Sequence, residues 1–214
     1  MNRRIKYPRT LHLPWSQGAT SDDKVHSDVD SLFSGQRVVV TEKMDGENTT
    51  LYADGYSHAR STDSAHHPSR AWVKAQVAPR MVGNLPKGWR VCGENLYALH
   101  SIKYDKLSTY FLVFSVWDEN NRCLSWEETV EWCALLGLET VPIVYKGVWD
   151  KKAIQEAWKG HSAFGGEGEG YVVRKASSFT YGDFAGSLAK YVRANHVQTD
   201  THWMHTTVIP NQLA

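Results

Sequence analysis

Residues 36–61 contain three short β-prone runs separated by two Asp-Gly pairs, and this pattern restricts the fold more than any other stretch of the chain. Asp-Gly flanked by such runs is a strong signal for a tight turn between strands. We therefore predict strand, turn, strand, turn and strand here. Later strand-like runs are interspersed with only a few helices. This order favours an α+β fold built on antiparallel sheets, with flanking helices, over a doubly wound parallel sheet.

Helices are predicted at three places. Residues 69–85 have helical spacing that Pro79 should interrupt. Ser125 and Glu128 form a capping box for a second helix, which should end near Gly137. Asp150 is the expected N-cap of a third helix. Further strands are predicted at residues 89–99, 109–119, 139–149, 167–177 and 188–195.

The length of 214 residues fits one domain. We expect an N-terminal arm (1–35), a core (36–195) and a C-terminal tail (196–214) that is too short for a separate nucleic-acid-binding domain. A formal net charge of +1 provides no global basic field, so contact with nucleic acid would need a local patch.

Composition also bears on the cellular setting. Cys92, Cys123 and Cys133 lack metal-ligand spacing and are interpreted as reduced cysteines of a cytoplasmic chain. We identify no signal peptide and no membrane-spanning run. The histidines show no pair with the spacing of a metal-binding helix, so no zinc site is predicted. A monomer is expected.

Lys43 ends the first β-prone run, directly before the Asp45-Gly46 pair. Placing a lysine at the end of a buried strand costs free energy unless its amine has a function. Burial and neighbouring cations would favour the unprotonated amine that nucleophilic attack requires. The alternative is a surface lysine in a hairpin, and the short pattern alone leaves both interpretations open.

Other charged and aromatic residues recur in later strand-like runs, namely Glu94, Phe114, Glu169, Arg174 and Lys190. Taken alone, each of these residues more often has a structural role, as a paired carboxylate, a core phenylalanine or a cation with a buried aliphatic stem. A half-buried carboxylate nevertheless needs a partner, and a divalent metal or a ribose hydroxyl would be suitable.

Taken in order, residues 38–193 resemble the covalent nucleotidyltransferase superfamily, which comprises ATP-dependent DNA ligases, RNA ligases and mRNA capping enzymes. The matching positions are Lys43 with Asp45 and Gly46, then Arg60, Glu94, Phe114, Glu169 with Gly170 and Val172, and Lys190. Asn48 is similar to the RNA-ligase form of the first motif, where DNA ligases and capping enzymes usually have arginine. Residues 93–107 are similar to the Gly-Glu segment of RNA ligase 2-like proteins.

The resemblance implies an ATP-dependent RNA ligase of the RNA ligase 2-like branch, with a nucleotidyltransferase (ATP-grasp-like ligase adenylation) domain. Lys43 would attack the α-phosphorus of ATP and hold AMP, while Lys190 contacts the α-phosphate. Glu169 would hold Mg²⁺ or Mn²⁺. AMP would then pass to an RNA 5′-phosphate, and a 3′-hydroxyl would displace it and seal the strand.

The same resemblance implies a nucleoside pocket. Glu94 would bind the ribose hydroxyls, Phe114 would stack on adenine, and Arg60 would contact the phosphate or ribose region. Asn48 would lie in the same pocket. Within the N-terminal arm, residues 12–15 are candidates for backbone contacts to the adenosine, or else a packed arm.

Two assignments depend on local pattern. Glu169, rather than Glu167, is followed by Gly, one residue and Val, so Glu167 is interpreted as a loop acid. Arg193 could supply a second cation beside Lys190, although strand alternation would point it the other way. RNA contacts, or a solvated helix face, are assigned to the basic residues Arg70, Lys74, Arg80, Lys87 and Arg90.

Alternative functions are a DNA ligase or capping-type guanylyltransferase, which Asn48 argues against, and a domain that binds nucleotide or RNA without catalysis. The expected substrate is RNA with 5′-phosphate and 3′-hydroxyl ends, including nicked duplexes. An accessory partner could replace the missing RNA-binding domain.

Overall fold

The computed structural model describes residues 4–64, 66–196 and 207–214. The strands are β1 Arg37–Lys43, β2 Glu47–Tyr52, β3 Ser57–Ala59, β4 Arg90–Asn95, β5 Phe111–Trp117, β6 Arg122–Cys123, β7 Glu139–Thr140, β8 Ile143–Val148, β9 Gly170–Lys175, β10 Phe179–Thr180 and β11 Leu188–Val192. The helices are α1 Asp30–Phe33, α2 Ala71–Gln76, α3 Ala78–Met81, α4 Trp126–Leu136 and α5 Lys151–Ala157.

The strands form two sheets. One has the order β11-β9-β1-β8 and is antiparallel throughout. The other has the order β10-β6-β5-β4-β2-β3 and is also antiparallel, with β7 added to β5 in parallel. The predicted α+β class with antiparallel sheets is confirmed.

The two Asp-Gly turns lie where the sequence predicts them, but only the second closes a hairpin. Asp54-Gly55 joins β2 to β3, which pair directly. Asp45-Gly46 instead carries the chain from one sheet to the other. Both edges of β1 are already paired, with β8 and β9. Strand β2 therefore pairs with β3 and β4 in the second sheet.

The predicted helix signals are confirmed in detail. Ser125 and Glu128 form both hydrogen bonds of the capping box of α4, and Gly137 ends that helix in a left-handed conformation with φ of 64°. The Asp150 side chain accepts from the Ala153 N–H at the start of α5. The helical segment around Pro79 is broken into α2 and α3.

Parts of the N-terminal arm and of the C-terminal tail pack on the core. The Leu13 N–H donates to the Lys190 carbonyl at 2.7 Å and the Lys190 N–H to Leu11 at 2.9 Å, so the N-terminal arm extends the first sheet beside β11. Near the C-terminus, buried Asn211 bonds the backbone of Leu96 and Tyr104. These contacts fix the loop after β4.

Two further observations concern predictions from composition. The three cysteines are buried and free. Within the described residues, no helix is long and apolar enough to cross a membrane.

Candidate active site

A cleft of about 750 Å³ opens where residues of the two sheets face each other. This volume is typical of pockets that hold small ligands. Its lining includes the seven residues to which the resemblance assigns a place in the nucleotide site, namely Lys43, Asn48, Arg60, Glu94, Phe114, Glu169 and Lys190. The first sheet carries both lysines, and Glu169 directly precedes its strand β9. The second sheet carries Asn48, Glu94 and Phe114, and Arg60 directly follows its strand β3.

Antiparallel register explains how the first sheet collects its charges. Lys43 of β1 lies opposite Gly170 of β9, so Glu169 is next to it. Lys190 of β11 lies opposite Val172 of the same β9 strand. Three residues that are far apart in sequence therefore meet at one end of this sheet.

Lys43 and Glu169 form an ion pair, with 2.6 Å between Nζ and Oε1. Burial lowers the pKa of Lys43, but the carboxylates of Glu169 and Glu94 outweigh this effect and leave the pKa above its usual value. In the free protein these carboxylates therefore favour the charged amine over the unprotonated form that nucleophilic attack requires. Neighbouring carboxylates, rather than cations, dominate its surroundings.

Glu94 and Glu169 both have pKa values above that of an ordinary glutamate. Burial, only partly offset by Lys43, raises the pKa of Glu94 to about 8 and that of Glu169 to about 7. Glu94 Oε1 accepts from the Gly46 N–H at 3.1 Å. Among the described residues, Glu169 Oε2 has no hydrogen-bond partner, although Glu169 is only 2% exposed.

The pKa of Lys190 lies below that of an ordinary lysine. Burial, with the charges of Lys43 and Arg60 also contributing, lowers its pKa to about 8. Lys190 thus remains a cation at neutral pH but sits close to its titration range. A buried cation at this position is suited to an anionic ligand, whose charge would raise that pKa again.

Asp45 is held rigidly by the loop after β4. Its Oδ2 accepts from the Ser101 N–H at 2.8 Å, the Ser101 hydroxyl at 2.7 Å and the Ile102 N–H at 2.7 Å. The Asp45 N–H donates to the Tyr104 hydroxyl at 2.9 Å. Since Oδ2 is fully used, Oδ1 is the oxygen available to the cleft. From the sequence, Asp45 was interpreted only as a turn residue and a motif position.

His196 is a cleft residue that the sequence interpretation missed. Its Nε2 lies 3.3 Å from Glu169 Oε1 and 3.7 Å from Asp45 Oδ1. Burial lowers the pKa of His196 despite the opposing effect of Asp45. Pairwise histidine spacing could not find it, because its neighbours are carboxylates from distant segments. The usable signal was its position just past β11, the strand that carries Lys190.

The aromatic side of the cleft involves the N-terminal arm. The Tyr7 and Phe114 rings meet edge to face, with centroids 5.2 Å apart. Lys6, Tyr7, Pro8 and Thr10 line the cleft. Residues 12–15, for which the sequence left adenosine contacts and a packed arm open, are absent from that lining, and buried His12 bonds Ser16. The arm therefore reaches the cleft through residues 6–10, and residues 12–15 pack as the alternative expected.

The basic residues around α2 do not form one surface. Arg70 lines the cleft in a buried ion pair with Glu47, whereas Lys74, Arg80 and Lys87 are exposed. Arg90 is 3% exposed and its guanidinium lies 4.7 Å from the Trp117 ring centroid. The prediction of a shared RNA-contacting face is wrong for Arg90, because packing inside the second sheet uses its charge.

Arg193 and Glu167 form an ion pair of 3.2 Å at the edge of the site. Glu167 is exposed, and neither side chain lines the cleft. Arg193 therefore does not accompany Lys190 there, in keeping with strand alternation.

The sequence model of the RNA ligase family matches residues 36–192. The chain belongs to the RNA ligase family. No curated protein matches the sequence.

Solved structures agree on the fold. A Naegleria gruberi RNA ligase with PPi is 18% identical, with a TM-score of 0.61 over 88% of this chain and 57% of that one. A mutant of that ligase with ATP and Mn is 17% identical, with a TM-score of 0.59 over 87% and 62%. Another mutant of that ligase, with AMP and Mn, is 18% identical, with a TM-score of 0.55 over 88% of this chain and 57% of that one. This chain spans about three fifths of the length of these proteins.

Proposed function

We propose that the protein is an ATP-dependent RNA ligase that joins 5′-phosphate and 3′-hydroxyl ends through a lysyl-AMP intermediate. The observation that carries this proposal is the ion pair between Lys43 and Glu169 in a cleft that Lys190 also lines. An amine beside a buried carboxylate and a second cation is suited to attack on a bound polyphosphate. Membership of the RNA ligase family supports the same chemistry.

In the first step, the Lys43 amine would form a bond to the α-phosphorus of ATP as the bond to pyrophosphate breaks. The ammonium must first lose a proton, because its lone pair is the nucleophile. Glu169 has a pKa raised to about 7 by burial and lies 2.6 Å from the Lys43 Nζ, so it is placed to accept that proton. Lys190 would stabilise charge on the α-phosphate.

The cleft provides a nucleoside site beside these charges. Phe114 of the second sheet and Val172 of the first both line it, which gives an apolar site for adenine. Glu94 would accept hydrogen bonds from the ribose hydroxyls. Arg60 would neutralise phosphate charge next to Lys190, whose pKa it already lowers.

Asp45 and Glu169 fit a divalent cation. The Glu169 Oε2 atom has no hydrogen-bond partner among the described residues, and the Asp45 Oδ1 atom is not used by the loop that binds Oδ2. A bound Mg²⁺ or Mn²⁺ would supply positive charge to the phosphate oxygens of the substrate.

The finer assignments depend on the sequence. Asn48 lines the cleft opposite Glu94 in the β2–β4 register, where it would distinguish an RNA ligase from DNA ligases and capping enzymes. Together with residues 93–107, it supports the RNA ligase 2-like branch. The expected partner is RNA, and a cytoplasmic monomer remains the working expectation.

The decisive experiment is covalent labelling with α-labelled ATP and either Mg²⁺ or Mn²⁺. We expect an acid-labile AMP adduct on the wild type and none on Lys43→Ala. The matched control is Lys146→Ala, which removes a β8 lysine that pairs with Glu127 outside the cleft. Undiminished labelling of Lys43→Ala would refute the proposed nucleophile, and selective labelling by GTP would favour a capping enzyme. Sealing of nicked and single-stranded RNA and DNA then defines the substrate.

A further inference from the structure

We propose that His196 is a protein ligand, together with Asp45 and Glu169, of a divalent cation in this cleft. The inference rests on the proposed function, because it assigns a new residue to the same site. Neither strand periodicity nor the motif resemblance includes His196. It follows β11 and reaches the cleft from the segment beyond Lys190.

The distances suit a shared ion. The His196 Nε2 lies 3.3 Å from Glu169 Oε1 and 3.7 Å from Asp45 Oδ1, and one ligand atom from each residue falls within 4.8 Å of the others. Adjacent ligands of an octahedral ion with bonds of about 2.1 Å are separated by about 3 Å. The two histidine–carboxylate separations exceed that value by less than about 1 Å.

Burial and unused atoms point to the same place. The side chains of His196 and Glu169 are each 2% exposed. Glu169 Oε2 lacks a hydrogen-bond partner among the described residues, which is costly for a buried carboxylate. Three hydrogen bonds fix Asp45 Oδ2 and leave Oδ1 on the side of His196. A cation at the centre would satisfy these oxygens.

A simple histidine–carboxylate ion pair explains the geometry less well. Charge-assisted hydrogen bonds between nitrogen and carboxylate oxygen are about 2.7–2.9 Å long, and both observed distances exceed that range. Lys43 already holds Glu169 Oε1 at 2.6 Å. An imidazole nitrogen close to two carboxylates is instead a common metal-binding arrangement.

The nitrogen ligand has a consequence for metal choice. Oxygen-only sites suit Mg²⁺, whereas imidazole increases affinity for transition metals. His196 should therefore favour Mn²⁺ over Mg²⁺ at this site. Replacement by Asp would offer a third carboxylate and should shift the preference back toward Mg²⁺.

The test is Mn²⁺ binding, measured by electron paramagnetic resonance on the purified protein and, in parallel, on Lys43→Met with ATP. Pulsed spectra of bound Mn²⁺ should show coupling to an imidazole nitrogen. His196→Ala should lose that coupling and bind Mn²⁺ at least about tenfold more weakly. His66→Ala is the matched control, because His66 also lines the cleft but lies outside this cluster.

Each outcome decides the inference. Absence of nitrogen coupling in both wild type and Lys43→Met overturns it, as does unchanged Mn²⁺ affinity in His196→Ala. His196→Gln provides a second variant if the alanine protein does not fold, as judged by circular dichroism without metal. Failure of the proposed function is a separate result: the wild type would form no AMP adduct, whether or not the nitrogen coupling appears.

Discussion

The two Asp-Gly turns of residues 36–61 have the same dipeptide and contrasting surroundings. Asp54-Gly55 closes a surface hairpin, where Gly55 has φ of 77° and the Asp54 carboxylate pairs with Arg4. Asp45-Gly46 crosses between the sheets, where Asp45 is buried against the loop after β4. A local sequence signal therefore specifies a change of direction, whereas the strand partners decide whether the turn is structural or part of a site.

The glycines differ for the same reason. Gly55 supplies a left-handed conformation that other residues adopt at a cost. Gly46 has no positive φ, but a Cβ there would lie 2.5 Å from the Asn95 carbonyl oxygen and 2.9 Å from Leu96 Cδ2. One turn needs glycine for its backbone angle, and the other needs it for space.

The largest effect is expected when the aspartate of each turn is replaced by asparagine. Asp45→Asn removes the negative charge beside Lys43 and Glu169 while keeping the side-chain shape, so we expect the rate of AMP-adduct formation to fall at least about a hundredfold. Asp54→Asn is the matched control and should remain within about twofold of the wild type. Single-turnover labelling with α-labelled ATP measures both rates. Equal rates in the two variants would mean that the Asp45 carboxylate has no chemical role.

Replacing either glycine by alanine should destabilise the protein, but for a different physical reason at each turn. Gly46→Ala must displace the Asn95 backbone or Leu96, which we expect to cost about 1–3 kcal/mol. Gly55→Ala should cost about 1–2 kcal/mol through its left-handed backbone. Urea unfolding gives both values, and the labelling rate gives a second comparison. We expect Gly46→Ala alone to slow labelling, because its turn sets the position of Lys43; a slower Gly55→Ala protein would contradict the distinction.

Sequence reasoning predicted the elements better than their partners. Val- and Thr-rich runs and Asp-Gly turns identify β1, β2 and β3, and a capping box identifies α4, because these signals are local. The sequence could not show that β1 and β2 enter different sheets, since strand pairing depends on competition with β8 and β9. The fold class followed from the order of the elements, whereas the cleft-lining residues followed from the family resemblance.

Electrostatics and the missed histidine were harder to predict for a related reason. The protonation of Lys43 depends on the distance to Glu169, a residue from a distant strand. His196 gains its neighbours only when β11 pairs with β9. Arg90 was predicted to be exposed but is buried against Trp117. Charge and burial are properties of the assembled sheets, so sequence spacing alone does not determine them.

A smaller effect is expected for the pH dependence of nucleotide affinity, which depends on the charge of Lys190. With its pKa lowered to about 8, Lys190 is a cation below that pH and loses charge above it. Affinity for a non-hydrolysable ATP analogue should therefore fall several-fold more steeply above about pH 8 in the wild type than in Lys190→Arg, whose guanidinium stays charged. Calorimetric titration at several pH values measures this difference. Parallel curves would show that Lys190 does not titrate in this range.

The smallest expected effect concerns the exposed turn. Arg4 binds both Asp54 oxygens, at 3.2 and 2.7 Å, and its guanidinium lies 4.1 Å from the Tyr56 ring centroid. Because the pair is partly exposed, Arg4→Ala should lower the free energy of unfolding by only about 1 kcal/mol, and by less at high salt. Arg4→Lys keeps the charge but loses the contact with both carboxylate oxygens, so its free energy of unfolding should lie between those of the wild type and Arg4→Ala. Urea unfolding at low and high salt measures the loss. A larger loss, or a slower rate of AMP-adduct formation, would show that the surface turn is coupled to the cleft and would remove the contrast between the two Asp-Gly pairs.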